Sequence, residues 1–263
     1  MSIVQLKNTK RVVIKIGTST LTHKTGLLNL RRMQSLATVI SDLKNSGMEI
    51  IIVTSGAIGI GAGNLSLSQK PDDMPTKQAC AAVGQCELMY SYDKYFSEHG
   101  IKVAQILLNK HIVENDVRKQ NVINTLNRLL EFSVIPIVNE NDTVSVEEIE
   151  FGDNDTLSAI VTTLVDADLL VILSDIDGLY DKDPRKYDDA VLITEVNHIA
   201  DEINTVSLDA GSEFGTGGML TKLFAAKHCL DNDIPMIIVN GNSPENLYEL
   251  YDGKEMGTLF INK

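Results

Sequence analysis

Short apolar runs alternate with amphipathic segments along most of the chain. The runs at 12–16, 49–53, 134–138 and 169–173 are rich in Val, Ile and Leu, which is typical of buried parallel strands. Between such runs, apolar residues recur every three or four positions, the spacing of one helix face. This alternation predicts an α/β fold, a three-layer αβα sandwich around a mostly parallel central sheet.

Local signals predict where several helices begin and end. Gly47 is expected to end the first long helix, because glycine readily adopts the conformation that follows a helix. Thr76 is expected to cap a long helix that runs towards Glu98, and Gly100 to stop it. A further helix is predicted near 117–131.

The remaining segments complete the expected organisation. Strands are predicted at 102–108 and 236–239, and the polar, irregular segment 175–209 is expected to form a lid or a small lobe. No strong linker divides the chain, so a single domain over residues 1–263 is predicted.

Charge and composition exclude several classes of protein. The 36 acidic residues outnumber the 23 Lys and Arg, and the formal net charge is −13. Nucleic acid is therefore not an expected partner. No apolar run approaches the ~18 residues of a membrane span, and the N-terminus lacks a hydrophobic signal core, so a cytoplasmic protein without a membrane partner is expected. Three cysteines (Cys80, Cys86 and Cys229) indicate neither a disulfide framework nor a zinc site, and no metal site is predicted.

A glycine pair lies before an amphipathic helix in the segment 216–222. Gly217 and Gly218 let several backbone N–H groups approach a ligand, and the helix start and Lys222 add positive charge. The segment is a candidate phosphate cradle, although a glycine pair before a helix is more often ordinary loop structure. Its order of residues differs from that of a Walker A loop.

A second lysine, Lys15, interrupts the buried strand at 12–16. A buried ammonium group is unfavourable unless it meets a counter-charge, although a lone lysine on an edge strand can reach water instead. The strand ends in Gly17, Thr18 and Ser19, a turn at the carboxyl end of a sheet, where ligands bind in open α/β folds. The functional interpretation of Lys15 is favoured.

The polar segment 139–142 follows the apolar strand that ends at Val138, and the polar segment 152–155 precedes an apolar helix. An N-cap explains one of the Asp or Asn residues at 153–155, but not all three. If these loops meet at the sheet edge, they offer partners for the ammonium and carboxylate groups of an amino acid, and one carboxylate to orient the two lysines. Two lysines, glycine-rich turns and helix N-termini suit phosphoryl transfer, which depends on positioning and charge stabilisation.

Seven segments, in the same order along the chain, resemble the amino acid kinase family. They are residues 13–19 (VIKIGTS), 53–58 (VTSGAI), 77–78 with 82–85 (KQ, AVGQ), 136–142 (PIVNEND), 151–155 (FGDND), 178–180 with 183–185 (GLY, DPR), and 215–219 with 221–222 (GTGGM, TK). The resemblance extends from about residue 11 to residue 260. Sister kinases act on N-acetylglutamate, aspartate, carbamate or UMP, and the segments 139–142 and 151–155 point to the glutamate branch.

The resemblance implies an enzyme that uses ATP to phosphorylate the γ-carboxylate of L-glutamate. The product would be γ-glutamyl phosphate, the first intermediate on the way to proline, and Mg²⁺ would be carried on the ATP phosphates. It also implies that residues to about 165 form the glutamate side of the domain and residues from about 166 the nucleotide side.

The resemblance also assigns roles to individual residues. Lys15 and Lys222 would stabilise the transferring phosphoryl group, and Asp155 would orient both. Glutamate binding is assigned to Ser55, Gly56, Asn139, Asp142 and Asn154, and ATP binding to Lys15, Gly17, Ser174, Asp175, Thr216, Gly217, Gly218, Met219, Leu220, Thr221 and Lys222.

Further expectations concern partners and regulation. The resemblance implies a homo-oligomer, proline as a feedback inhibitor, and handover of the product to glutamate-5-semialdehyde dehydrogenase. Many members carry a C-terminal domain of RNA-modifying-enzyme type, which is not expected here because the sequence ends at Lys263, and this leaves the oligomeric state open. Glu150 stands where the family usually has a basic residue, so weak proline inhibition is expected.

Two alternatives remain open at this stage. One is a member of the same fold that binds nucleotide or amino acid without turnover, although both lysines and Asp155 are retained. The other is a kinase that forms a different acyl or carbamoyl phosphate.

Overall fold

The structure, a computed structural model, describes residues 9–23, 25–69, 71–109, 114–144, 154–197, 199 and 218–262. The chain divides into two compact units. The middle unit is Ile16–Glu150, and the terminal unit combines Met1–Lys15 with Phe151–Lys263. The terminal unit is therefore built from both ends of the chain.

Strands and helices alternate through both units, as the apolar pattern predicts. Strand β1 (Arg11–Ile16) ends at the boundary between the units. The middle unit continues with α1 (Thr18–Leu21), α2 (Leu30–Asn45), β2 (Glu49–Thr54), α3 (Ala57–Asn64), α4 (Met74–Ser97), β3 (Val103–Leu108), α5 (Asp116–Glu131) and β4 (Ile135–Glu140). The terminal unit contains α6 (Asn154–Leu164), β5 (Leu169–Ser174), β6 (Leu179–Tyr180), β7 (Leu192–Ile193), β8 (Glu195–Val196), α7 (Gly218–Leu230), β9 (Met236–Asn240), α8 (Asn246–Tyr251) and β10 (Thr258–Phe260).

In the middle unit, β4 lies between β3 and β2 and is parallel to both. Val53 of β2 and Ile106 of β3 both align with Val138 of β4, so the carboxyl ends of the three strands lie at one edge. The loops that follow β2 and β4 consequently leave the sheet on the same side. These loops carry Ser55, Gly56 and Asp142, three of the five residues that the resemblance assigns to glutamate binding.

In the terminal unit, the strand order is β1-β5-β9-β10-β8. Strands β5 and β9 are parallel, with Ser174 opposite Asn240, whereas β10 is antiparallel to β9. Every residue of β5 is buried, as expected for a strand covered on both faces. Part of the irregular segment at 175–209 forms a separate two-stranded antiparallel sheet of β6 and β7. The prediction of an α/β fold with mostly parallel strands is confirmed.

Two predicted element ends were wrong by a few residues. The N-cap of α4 is Asp73, whose carboxylate accepts a hydrogen bond from the Thr76 backbone N–H, so Thr76 lies inside the helix. Pro75 lies in the first turn, where the backbone N–H that proline lacks would have no partner within the helix. The helix therefore begins at Met74, before Thr76. Strand β4 runs on to Glu140, so Asn139 is part of the strand. No helix within the described ranges is long and apolar enough to span a membrane.

Helices α3 and α4 approach closely because each presents a glycine to the other. A Cβ atom at Gly84 would lie 1.8 Å from the Ala57 carbonyl oxygen, and one at Gly61 would lie 1.8 Å from the Cys80 carbonyl oxygen. Both clashes are with backbone, which cannot rotate away as a side chain can. The close packing sets the position of the α4 face that includes Gly84 and the neighbouring Gln85.

We expect Gly84→Ala to lower the free energy of unfolding by roughly 2 kcal/mol or more, because overpacked sites force backbone shifts. The matched control is Gly59→Ala on α3, where the added Cβ would make only an ordinary contact, at 3.8 Å from the Thr18 side chain. Replacing glycine within a helix should leave stability unchanged or raise it by up to about 1 kcal/mol. Urea denaturation of the two variants checks this, and equal stability of both would contradict the packing argument.

Candidate functional site

A buried carboxylate holds two lysines together in the terminal unit. Lys15 is near the end of β1, Asp155 is in the first turn of α6, and Lys222 is in the second turn of α7. The Lys15 Nζ atom lies 2.8 Å from Asp155 Oδ1, and the Lys222 Nζ atom lies 3.0 Å from Asp155 Oδ2. Each oxygen of one carboxylate thus meets a different ammonium group. We call these three side chains the lysine clamp.

The local structure of α7 supports the same arrangement. Lys222 also donates to the Gly218 carbonyl one turn earlier, at 3.0 Å. The Thr221 hydroxyl lies 3.0 Å from Asp155 Oδ2 and 3.0 Å from the Gly218 carbonyl oxygen. Within the described residues, a Cβ at Gly218 would meet no atom within 4 Å, so packing does not account for glycine at this position.

Burial makes the electrostatics of the clamp strong. Asp155 is fully buried, and Lys15 and Lys222 are 3% and 7% exposed. Burial on its own would raise the pKa of Asp155, but the two ammonium groups outweigh it and lower the pKa to about 2. The carboxylate is therefore ionised at neutral pH, and the three groups together carry one net positive charge. Such a cluster suits an anionic ligand.

The structure thus brings together Lys15, Asp155 and Lys222, which the sequence places far apart. Residues 218–222 of the predicted phosphate cradle form the start of α7. Within it Met219 is buried and Leu220 is half-buried. Thr216 and Gly217 lie outside the described residues.

Ser174 and Asp175 lie at the carboxyl end of β5, also in the terminal unit. The Ser174 hydroxyl lies 3.3 Å from Asp175 Oδ1, and Asp175 Oδ2 pairs with Arg185 at 3.0 Å. Nearby in sequence, Asp177 accepts a hydrogen bond from Asn240 at the end of β9. Arg185 and Asn240 were absent from the predicted site, because their positions beside these carboxylates depend on strand pairing and loop folding.

In the middle unit, Ser55 and Gly56 form the turn between β2 and α3. Gly56 has φ +101°, a conformation that residues with a side chain rarely adopt. The Ser55 hydroxyl oxygen is buried and has no hydrogen-bond partner among the described residues. The turn leads directly into the first N–H groups of α3, which are donors for an anion.

The end of β4 carries a chain of oriented amide groups. The Glu140 backbone N–H donates to Asn139 Oδ1 at 2.9 Å, and Asn139 Nδ2 donates to Gln85 Oε1 at 2.8 Å. Gln85 projects from α4 and is 8% exposed. The sequence places Gln85 within one of the seven family segments but assigns it no role. A polar residue on the buried face of α4, which also carries Cys80, Ala81, Gly84 and Leu88, is the signal that could have identified it.

Asp142 lies in the loop after β4 and is half-buried. Loss of solvent, with a smaller contribution from the negative charge of Glu140, raises its pKa to about 6. Asp142 lines a small recess with a cavity volume of about 10 Å³. The recess is lined by Ala57, Ala81, Gln85, Leu107, Glu140, Asn141, Asp142 and Thr143. Among the described residues no cation is paired with this carboxylate, and such a site favours a cationic ligand.

Two further predicted site residues, Gly17 and Asn154, each lie at the start of a helix. Gly17 precedes α1 as its N-cap, and Asn154 is the first residue of α6, immediately before Asp155. Glu150, expected to affect proline inhibition, lies outside the described residues. Within the part of the chain that the structure describes, no group of three or more His, Cys, Asp or Glu side chains is placed to hold a metal ion.

Comparisons with known proteins agree with the resemblance. Residues 10–240 match the amino acid kinase family. A Clostridium perfringens protein named glutamate 5-kinase is 53% identical over 262 residues, covering 98% of this chain and 97% of its own length. A Listeria monocytogenes (serotype 4b) protein of the same name is 52% identical and covers 98% and 95%.

Solved structures share the fold. UMP kinase from Bacillus anthracis aligns with a TM-score of 0.68 at 18% identity, covering 97% of each chain. A product complex of isopentenyl phosphate kinase from T. acidophilum aligns with a TM-score of 0.61, also at 18% identity, covering 95% of this chain and all of the other. At this identity the likeness establishes the fold alone.

The raised pKa of Asp142 predicts a pH-dependent stability difference from Asp142→Asn. The folded chain holds the proton up to about pH 6, whereas the ordinary carboxyl value is 3.8. The stabilisation from the protonated group is therefore present below about pH 4 and lost as the pH rises through 6. Urea denaturation between pH 4 and pH 7 should show the free energy of unfolding of the wild type falling relative to that of Asp142→Asn.

The control for this measurement is Asp93→Asn, at an exposed position on α4. It should show no comparable change relative to the wild type over the same pH range. Equal pH profiles for the two variants would contradict the burial argument for Asp142.

Proposed function

The chain belongs to the amino acid kinase family, and from this premise we propose that it transfers the γ-phosphoryl group of ATP to the γ-carboxylate of L-glutamate. The products are γ-glutamyl phosphate and ADP, and the reaction is the first step of proline biosynthesis. Relatives with about half of their residues identical over nearly the whole chain are named for this activity. The observation that carries the proposal is the lysine clamp, a buried cluster with one net positive charge.

The reaction needs charge stabilisation more than proton transfer. An oxygen of the γ-carboxylate attacks the γ-phosphorus, and the bond to the oxygen that bridges the β- and γ-phosphorus atoms breaks. The attacking carboxylate has an ordinary pKa near 4.3, so at neutral pH it is already ionised and no general base is required. Lys15 and Lys222 offset the negative charge on the phosphoryl oxygens in the transition state.

Asp155 acts in this mechanism by positioning. Because its pKa is about 2, the carboxylate is ionised at neutral pH. It can therefore accept hydrogen bonds from two ammonium groups but cannot donate a proton. With one carboxylate oxygen committed to each lysine, both Nζ atoms are fixed before the substrate arrives. Preorganised charges of this kind need no rearrangement during the reaction.

We assign glutamate recognition to the middle unit. The Asp142 carboxylate binds the ammonium group of glutamate, and an adjacent cation lowers its raised pKa and keeps it ionised. Ser55 and the N-terminus of α3 offer donors to a carboxylate. An N-acetylated substrate has no ammonium group to pair with Asp142, which explains the choice of free glutamate.

We assign ATP binding to the terminal unit, through Ser174, Asp175 and residues 216–222, whereas Gly17, assigned to ATP by the resemblance, belongs to the middle unit and stays a prediction. The start of α7 supplies backbone donors, and a phosphate can approach Gly218 closely on the side where no described atom lies within 4 Å of a Cβ position. Mg²⁺ carried on the ATP phosphates would neutralise part of their charge. Asn154, assigned to glutamate by the resemblance, belongs to the terminal unit and stays a prediction.

Several finer statements are part of the same proposal. They are a cytoplasmic location, a homo-oligomeric state, feedback inhibition by proline that is weakened by Glu150, and handover of the product to glutamate-5-semialdehyde dehydrogenase. Acyl phosphates hydrolyse readily in water, so such a product benefits from rapid consumption by the next enzyme.

The reaction is tested by coupled ADP formation and by trapping the acyl phosphate with hydroxylamine. Hydroxamate should accumulate with L-glutamate and not with N-acetylglutamate or aspartate. Equal turnover of N-acetylglutamate would assign the protein to a sister branch. Ligand binding without ADP formation would identify a non-catalytic member of the fold.

The role of the lysine clamp is tested by Lys15→Ala and Lys222→Ala. We expect each to lower kcat by on the order of 10² or more, because the lost charge acts mainly on the transition state. Lys→Arg should restore little activity, since a planar guanidinium replaces a compact ammonium. The control is Lys227→Ala, an exposed lysine on α7 that pairs with Asp231 at the surface, and it should leave kcat unchanged. A near-normal kcat for Lys222→Ala would remove Lys222 from the mechanism.

A further inference from the structure

Gln85 presents a buried hydrogen-bond donor for which no described residue provides an acceptor. Its Oε1 atom accepts a hydrogen bond from Asn139, whereas its Nε2 atom is buried and has no partner among the described residues. Buried N–H groups nearly always find an acceptor, because an unmade hydrogen bond is unfavourable away from water. The unused donor therefore indicates a place for an acceptor supplied by a ligand.

The orientation of this amide is fixed by its neighbours. The Glu140 backbone N–H can only donate, so the Asn139 atom that faces it is the oxygen. The Asn139 nitrogen then faces Gln85, and the atom of Gln85 that receives it is again the oxygen. The Nε2 group is consequently the polar atom of Gln85 left for the recess that Gln85 lines together with Asp142.

The charges around the recess determine what can bind next to Gln85. Asp142 and Glu140 both line it, and two carboxylates attract an ammonium group. An ammonium group has no lone pair, so it cannot accept from Gln85. The ligand must therefore offer an oxygen close to its ammonium group.

Glutamate offers such an oxygen in the carboxylate group that is bonded to the carbon atom carrying its ammonium group. Its α-carboxylate is bonded to that carbon, whereas the γ-carboxylate is separated from it by two methylene groups. On the basis of the proposed function, we infer that Gln85 Nε2 donates a hydrogen bond to the α-carboxylate of glutamate while Asp142 binds the ammonium group. Gln85 is then a residue that selects free α-amino acids, and Asn139 is the residue that positions it.

A change of substrate preference tests this assignment more sharply than loss of activity. The test compares kcat/KM for L-glutamate with kcat/KM for its α-amide, isoglutamine, in which an NH₂ group replaces one α-carboxylate oxygen. Gln85→Glu can still accept from Asn139, but it places a carboxylate against the α-carboxylate of glutamate and an acceptor against the amide of isoglutamine. The ratio of the two values should shift towards isoglutamine by roughly 10- to 100-fold, the scale of one hydrogen bond to a charged group.

Gln85→Met provides a second variant of similar length without a donor. It should raise the KM for glutamate by roughly 10-fold or more, with a much smaller effect on the KM for ATP. Where isoglutamine turnover is below detection, its inhibition constant against glutamate replaces kcat/KM. The control is Gln34→Met at an exposed position on α2, which should change neither substrate preference nor KM.

The outcomes separate this inference from the proposed function. Wild-type protein that forms no ADP with glutamate would refute the function itself. If the wild type is active and Gln85→Glu loses kcat/KM equally for both substrates, Gln85 does not contact the α-carboxylate, and the inference is wrong. Thermal unfolding of each variant, with a melting temperature near that of the wild type, ensures that the preference is measured on folded protein.

Discussion

The ion pairs of Asp155 with Lys15 and Lys222 constrain both the fold and the chemistry of the terminal unit. A lysine in a buried strand is strongly unfavourable unless its charge is compensated, and here one carboxylate compensates two. Removing one partner of a buried pair typically costs about 3–5 kcal/mol, because the remaining charge stays buried. The ion pairs, together with apolar packing, therefore fix the positions of the end of β1 and the starts of α6 and α7 relative to one another.

In the proposed function, the middle unit recognises glutamate and the terminal unit stabilises the transferring charge. The middle unit offers a recess with carboxylates and oriented amides, whereas the terminal unit offers buried positive charge. Solved structures of the same fold are named for kinases of UMP and of isopentenyl phosphate, so the fold alone does not specify the acceptor. Acceptor choice must come from individual side chains, and Asp142 and Gln85 are the residues that we propose for it in this chain.

The sequence predicted those features that depend on local pattern. Apolar runs identified the main strands, and the charge in the run at 12–16 indicated that Lys15 needs a partner, which Asp155 supplies. The N-cap at Asp73 was missed because Asp73, Pro75 and Thr76 are all residue types that favour the start of a helix, so the local pattern does not single out one position. Gln85 was missed for a different reason. Its burial depends on how closely α3 and α4 approach, and that distance is set by the glycine contacts of Gly61 with Cys80 and of Gly84 with Ala57, which are distant in sequence.

The terminal unit is discontinuous in sequence, so its two parts are synthesised at different times on the ribosome. Lys15 is synthesised about two hundred residues before Lys222, a delay of roughly 10–40 s at ordinary elongation rates. The backbone N–H groups of Lys10 and Arg11 bind the carboxylate of Asp168, so β1 must also wait for that residue. The middle unit, by contrast, is contiguous and can fold while the rest of the chain is still being made. The contacts of the first strand within the terminal unit therefore form late in synthesis, and Lys15 cannot make its ion pair until Asp155 has been synthesised.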